Sequence, residues 1–203
     1  MTAKLQGVNE YYSALAALDV PTTFSGRVTA QLELALPGTF VPTHYEPIGA
    51  STFSKKTQAE GYSVVADSKG TLLWENDIVD GSPLIVVVSE QASKEYLEYL
   101  DCKHISWIVA GAQRIDLAQA AEMLKQHFGV QRMAVVGGGN INAGFLDAGL
   151  LDEVSILLAP GIDARGGMAA AFDGLAMDKE PVHLKLKNVT AYDDGAIWIR
   201  YSV

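Results

Sequence analysis

QRMAVVGGGNINAGFLDAGLLDEVSILLAP, residues Gln131–Pro160, decides how the rest of the chain is read. Met133–Val136 is a short apolar run that ends abruptly in Gly137-Gly138-Gly139. Asn140 is placed to cap a helix over Ile141–Ala148, and Gly149 to end it. Leu150–Ala159 then returns as a second apolar strand. The pattern is strand, glycine turn, short helix, strand. Three glycines where a strand feeds a helix let a phosphate, or another backbone, come close. Both readings stand on local context alone.

Outward from this stretch, composition bounds the function. The chain has 203 residues, 49% hydrophobic and 19% charged, enough for one sizeable core. A formal net charge of -9 argues against a nucleic-acid or anionic-membrane surface, though a local basic pocket for a phosphorylated ligand is compatible with it. Cys102 is the only cysteine, which excludes a disulfide framework and a thiolate metal cluster, and it reads as a passive residue. No apolar run reaches the roughly 20 residues needed to span a bilayer. The N-terminus MTAKLQGVNEYY lacks a signal-peptide core, so a cytoplasmic protein is expected.

In chain order, Asn9 is placed to cap a helix through about Leu18, with Tyr12, Leu15 and Ala16 on one buried face. Thr22-Thr23-Phe24 is a short strand. Ser25-Gly26-Arg27-Val28-Thr29 then opens a helix that runs to about Leu36. This second strand–glycine–helix junction carries a cation. It can offer N–H groups and a guanidinium to a phosphate, or Arg27 can simply face solvent. Thr39–Gly61 reads as a long loop with a short helix near Ser54–Glu60. Tyr62–Ala66 is a strand, Asp67-Ser68-Lys69-Gly70 a turn and Leu72–Trp74 a short strand. Leu84–Val88 has the pattern of a strand covered on both faces. Ser93 caps a helix through about Leu100, and Ile105–Val109 is the next strand. Asp116 and Gln119 have capping-box spacing ahead of the stripe Leu117, Ala120, Ala121, Leu124 and Phe128, ended by Gly129. Gly161–Asp178 is a loop, and His183–Val189 and Ala196–Val203 form a closing hairpin. Alternating strands and helices with a terminal hairpin predict a three-layer α/β domain with a mostly parallel central sheet.

The chemistry is narrowed by what the motifs are not. Gly137-x-Gly139-x-x-Asn142 lacks the third glycine of a Rossmann fingerprint and lies after several strands. His44, His104, His127 and His183 fall in different elements without zincin spacing, and no metal site is expected. Neither a Gly-x-Ser-x-Gly elbow nor a Walker A motif occurs. Asp152-Glu153 offers carboxylates for a substrate amine or for proton transfer, or a structural pair facing solvent. Trp74, Trp107 and Trp198 read as core or interface packing.

VVGGGNINAGFLDAGLLDEVSILLAPGIDARGG resembles the signature of the riboflavin-biosynthesis reductase domain, within the dihydrofolate reductase-like superfamily. YSVVADSKGTLLW resembles its strand and Asp-Ser-Lys turn, LKLKNVTAYDDGAIWIRYSV its closing hairpin, and SGRVT the phosphate-holding junction of dihydrofolate reductases. The resemblance covers most of the chain and implies a single domain over residues 1–203 with the dihydrofolate reductase-like three-layer fold. It implies an NADPH-dependent reductase of a small heterocycle, aminopyrimidine- or pterin-like. Carried over by position, Gly137, Gly138, Gly139, Asn140 and Ile141 surround the pyrophosphate. Gly26, Arg27, Val28 and Thr29 cradle phosphates from the other junction, and Ser68 and Lys69, or Ser89, lie near the adenosine 2′-phosphate. Asp152 and Glu153 are the candidates around the substrate, and no proton donor is named.

The chain also departs from the family. Relatives begin with an apolar strand, central to the sheet, that ends in a Ser-Leu-Asp-Gly-like motif, and none precedes the first helix here. The expectation is a chain that begins late relative to its relatives or fills the gap with another segment. Val136 stands where relatives place a glutamate, and their arginine-containing segment before an Asp-x-Pro turn is not recognisable. A non-catalytic nucleotide-binding or interaction protein on the same scaffold is the second reading. The aliphatic C-terminal hairpin predicts a homodimer, with no nucleic-acid or membrane partner.

Overall fold

The computed structural model describes residues 8–162, 164, 167 and 170–203. Five parallel strands form the centre: β1 (Thr22–Gly26), β3 (Ser63–Ala66), β5 (Ser82–Val88), β6 (Ser106–Val109) and β7 (Met133–Gly137). Two short antiparallel strands join them, β2 (Thr52–Ser54) beside β6 and β4 (Ile78–Val79) beside β5. The spatial order is β2-β6-β5-β3-β1-β7, with β4 off that path. Among the described residues the α-helices are α1 (Val8–Ala17), α2 (Arg27–Glu33), α3 (Lys94–Cys102), α4 (Leu117–Met123) and α5 (Gly139–Asp147), and a π-helical turn over Leu124–Phe128 continues α4. A separate antiparallel sheet contains β8 (Glu153–Leu158), β10 (Ile197–Ser202) and β9 (Lys185–Ala191), in that spatial order. The hairpin therefore pairs with β8 in a sheet of its own.

The aliphatic run in β5 is buried on both faces, since Ile85, Val86, Val87 and Val88 are fully inaccessible. Val65, Val86 and Val88 pack with Tyr96 and Leu100 of α3 on one side. Phe24, Val64 and Ile85 pack with Leu124, Phe128 and Phe145 on the other. Each such side chain contributes roughly 1.5–3 kcal/mol on burial. This two-faced core fixes the C-terminal ends of the parallel strands at one edge, where α/β sheets hold ligands.

Several local expectations are corrected. Residues 54–60 form no helix. Thr52–Ser54 is an edge strand paired with β6, held by Phe53 stacked on His127 at 3.9 Å and by Lys55 Nζ donating to the His127 carbonyl at 2.8 Å. Leu72–Trp74 is no strand either: it makes a single bridge, Leu36↔Leu73, and the Trp74 N–H donates to the Tyr99 hydroxyl. The helix predicted to Leu36 ends at Glu33 for the same reason, since Leu36 is drawn into that bridge. In α1, Asn9 lies inside the helix. Tyr12 and Ala16 are exposed, and the inward face is Ala14, Leu15 and Leu18, with Tyr11, itself exposed, at its rim.

That α1 face lines a cavity of about 230 Å³ between the two sheets, with Ala134–Val136 of β7 opposite Ser155 and Leu157 of β8 and Trp198 of β10. Among the described residues, β7 pairs only with β1, and β8 only with β10. The loop over 39–51 is ordered by α3. Glu95 accepts from the Thr43 and His44 amides at 2.6 and 2.8 Å, and Ile48 N–H donates to the Ala92 carbonyl. The predicted Gly161–Asp178 loop lies partly outside the described residues.

Candidate cofactor site

The two glycine junctions meet. β1 and β7 are neighbours, and Ser25 is in register with Gly137 after a local shift. A Cβ at Gly26 would lie 3.3 Å from the Gly137 carbonyl oxygen, and one at Gly137 would lie 3.3 Å from Thr29 Oγ1. An added methyl at either place would press its neighbour by a few tenths of an ångström. Neither Gly26 nor Gly138, the N-cap residues of α2 and α5, has a capping side chain. The first N–H groups of an α-helix have no intrahelical acceptor, so α5 presents free donors and a partial positive charge beside Gly26–Thr29.

Asn140 is not the cap. Gly138, at φ +85°, turns the chain one step earlier, and α5 starts at Gly139. Gly139 serves packing. A Cβ there would lie 2.4 Å from the Ala170 carbonyl oxygen, and Asp173 N–H donates to the Gly139 carbonyl. Asn142 Nδ2 donates to the Ala171 carbonyl at 2.7 Å, while its buried Oδ1 has no partner. Residues 170–174 thus lie across the first turn of α5, a contact invisible in the spacing of the glycines.

The ends of β3 and β5 add a second group. Ser68 follows β3, and its carbonyl accepts from both the amide and the hydroxyl of Ser89, at 3.0 and 2.8 Å. Ser89 is buried, so its hydroxyl is committed to this turn. Lys69 and Arg27 are exposed and form no ion pair among the described residues. Sequence reasoning missed Asp67. It is fully buried, and its carboxylate holds the Thr71 and Leu72 amides at 2.6 and 2.8 Å. The signal was present as a carboxylate in the first position of a turn that follows an apolar strand.

Asp152 and Glu153 are not brought to the glycine turn. The nine residues of α5 carry the chain about 13 Å away before it reaches them. Glu153 accepts from Arg200 Nε at 2.5 Å and Nη2 at 3.1 Å, and pairs with Lys187 at 2.5 Å. Those hydrogen bonds, led by Arg200, hold its pKa below the ordinary carboxylate value. Asp152 is exposed, and its carbonyl accepts from Val203 N–H.

The family model described as the RibD C-terminal domain matches residues 29–198. A Methanothermobacter thermautotrophicus protein named 2,5-diamino-6-ribosylamino-4(3H)-pyrimidinone 5′-phosphate reductase is 32% identical over 126 residues. That alignment covers 61% of this chain and 57% of the archaeal protein. Among solved structures, a pyrimidine reductase-like protein from Corynebacterium diphtheriae superposes with a TM-score of 0.65 at 16% identity, covering 91% of this chain and 76% of that one. The Saccharomyces cerevisiae riboflavin biosynthesis reductase Rib7 gives 0.61 at 18% identity, covering 98% and 82%. At these identities the two structures speak for the fold alone, the mostly parallel sheet with its helices and the separate antiparallel sheet. With the match spanning most of the described chain, the protein belongs to the RibD C-terminal domain family, on a dihydrofolate reductase-like fold.

Proposed function

We propose that this chain is an NADPH-dependent reductase of a phosphorylated aminopyrimidine in riboflavin biosynthesis. The observation that carries the reading is the contact between the two glycine junctions at the C-terminal ends of β1 and β7. The residues present fit the cofactor. Gly137, Gly138 and Ile141 border the gap between the junctions, which the Thr29 and Ile141 side chains also line, and the amides at the start of α5 suit a pyrophosphate. Gly26, Arg27, Val28 and Thr29 close the space from β1, with the Arg27 guanidinium free for a charge-assisted contact. Ser68 and Lys69 follow β3, the strand beside β1 on the side away from β7, and offer a hydroxyl and a cation to an adenosine 2′-phosphate. Bound NADPH would supply the hydride. The chain supplies position and charge. Glu153 is read as a tie within the three-stranded sheet, since its oxygens are already engaged.

The test is titration of the purified chain with NADPH and NADH, followed by turnover with the aminopyrimidine phosphate named for the archaeal relative. NADPH oxidation that depends on that substrate is the expected result. One observation favours the second reading, a non-catalytic nucleotide-binding protein: among the described residues β7 pairs only with β1, and its five residues are only partly buried. Tight NADPH binding with no oxidation across aminopyrimidine and pterin substrates would select it.

A homodimer belongs to the same proposal. The register shift between Arg200 and Tyr201 places Leu186, Val189 and Ala191 on one face with Ile197, Ile199 and Tyr201. Val154, Ile156 and Leu158 of β8 complete that face. Nine apolar or aromatic residues thus share one side of a sheet, and Leu158, Leu186 and Val189 are each more than half exposed. A contiguous apolar face of this kind suits a self-complementary contact between two copies.

A further inference from the structure

The carboxylate of Asp67 has no role in the reading above, yet it is the buried acid nearest the Ser68–Lys69 turn. It is 0% exposed at the end of β3. Its Oδ2 accepts from Thr71 N–H at 2.6 Å and Leu72 N–H at 2.8 Å, and its Oδ1 accepts from Thr71 Oγ1 at 3.1 Å. The Tyr96 hydroxyl shares its one proton between Asp67 Oδ2 at 3.2 Å and the Leu72 carbonyl at 2.9 Å, and accepts from Trp74 Nε1 at 3.3 Å. A buried carboxylate is costly unless its lone pairs are filled, and here four donors fill them. Burial, then the adjacent carboxylate, raises the Tyr96 pKa well above its ordinary value, so its hydroxyl stays a donor.

The turn is seated on the same tyrosine. Gly70 has φ +67°, and a Cβ there would lie 2.4 Å from Tyr96 Cδ1. Gly70 N–H closes the turn onto the Asp67 carbonyl at 2.8 Å, and Ser89 clamps the Ser68 carbonyl from the next strand. Every backbone restraint converges on residues 67–72. What the turn leaves outward is the Lys69 ammonium and the Ser68 side chain, neither with a partner among the described residues. A rigid turn with an unpaired cation and hydroxyl is suited to a compact dianion.

We propose that Asp67, with Tyr96 beneath it, is the positioning residue that makes this chain select a cofactor carrying a 2′-phosphate. It acts by fixing the turn that presents Ser68 and Lys69, and it does not touch the ligand. This rests on the NADPH reading, and the test separates the two.

The probes are NADPH, NADH, and the fragments 2′,5′-ADP and AMP, titrated against the intact chain. In Asp67→Ala the Thr71 and Leu72 amides lose their acceptor. The dissociation constants for NADPH and 2′,5′-ADP are expected to rise about tenfold, the scale of one charge-assisted hydrogen bond, while those for NADH and AMP stay within about twofold. Asp67→Asn keeps an oxygen for both amides and turns its N–H₂ toward Thr71 Oγ1, so it restores most of the preference. Lys69→Ala gives a loss like that of Asp67→Ala. If Asp67→Ala does not fold, Tyr96→Phe carries the test, with a smaller loss of preference in the same direction. Equal weakening of phosphorylated and unphosphorylated ligands overturns the proposal, as does an unchanged preference. Asp67→Asn behaving like Asp67→Ala overturns it too, because charge and not geometry would then be at work. A wild-type chain that binds NADPH and NADH alike fails the proposal and the NADPH reading together. A wild-type preference for NADPH that survives Asp67→Ala fails the proposal alone.

Discussion

Replacing Gly137, Gly138 and Gly139 singly with alanine should give three different results, because the structure gives each glycine a different reason. Gly137 has an ordinary φ, and its new methyl would sit 3.3 Å from Thr29 Oγ1. Thr29 is half-buried at the start of α2 and has only to shift a few tenths of an ångström, so Gly137→Ala should cost less than about 1 kcal/mol. That methyl projects between the two junctions, so NADPH binding should weaken while the fold holds. Gly138→Ala meets nothing closer than 3.6 Å, yet φ +85° with ψ 119° is strained for any L side chain, at about 1–3 kcal/mol. Gly139→Ala places a methyl 2.4 Å from the Ala170 carbonyl oxygen, a backbone atom, and pushes Asp173 N–H from the Gly139 carbonyl. Overpacking of about 1–3 kcal/mol and the loss of a hydrogen bond worth about 1 kcal/mol give a total near 2–4 kcal/mol. For a chain of this size that lowers Tm by roughly 4–16 °C. Thermal unfolding of the three variants by circular dichroism measures the order. Gly139→Ala melting with the wild type would refute the seating of residues 170–174 on the glycine turn, and Gly137→Ala being the worst of the three would refute the whole assignment.

Three further outcomes follow from other parts of the molecule. Glu153 has a lowered pKa in the folded chain, so its pairing with Arg200 and Lys187 adds stability that is fully present above the ordinary value of 4.5 and is lost as pH falls through the lowered value. Glu153→Gln should therefore lower the urea midpoint at pH 7 by the equivalent of about 1 kcal/mol and leave it unchanged at strongly acid pH; a gap constant with pH would contradict this. Val189→Asp, on the apolar sheet face, should convert a two-chain sedimenting species into one chain with its secondary structure intact, whereas a wild-type chain already sedimenting alone would remove the dimer. Arg27→Ala should raise the NADPH dissociation constant about tenfold, the scale of one lost charge-assisted contact, without moving Tm, since the side chain is exposed; an unchanged constant would leave Arg27 to solvent.

What could be read from the sequence was what local chemistry fixes. The β5 strand announces itself because five consecutive aliphatic residues suit only a strand buried on both faces. The strand–glycine–helix–strand run is legible because each boundary carries its own residue type. The failures lie where a distant partner decides. Phe53 belongs to a strand because His127, far along the chain, offers a ring to stack on and a carbonyl to Lys55. Leu72 and Trp74 are as buried as strand residues, but the groups around them bond to Asp67, Tyr96 and Tyr99. The inward face of α1 depends on the cavity between two sheets, and its periodicity fits two stripes equally well. Two glycine junctions were readable separately. Their contact depends on sheet order, which no spacing records.

Amide hydrogen exchange of the chain with and without saturating NADPH tests the shared cofactor site most directly. The account predicts slowed exchange in two segments at once, Gly26–Thr29 and Gly137–Ile141, with a smaller effect at Ser68–Lys69. Protection confined to one junction, or falling elsewhere while both junctions exchange as in the free chain, would contradict it.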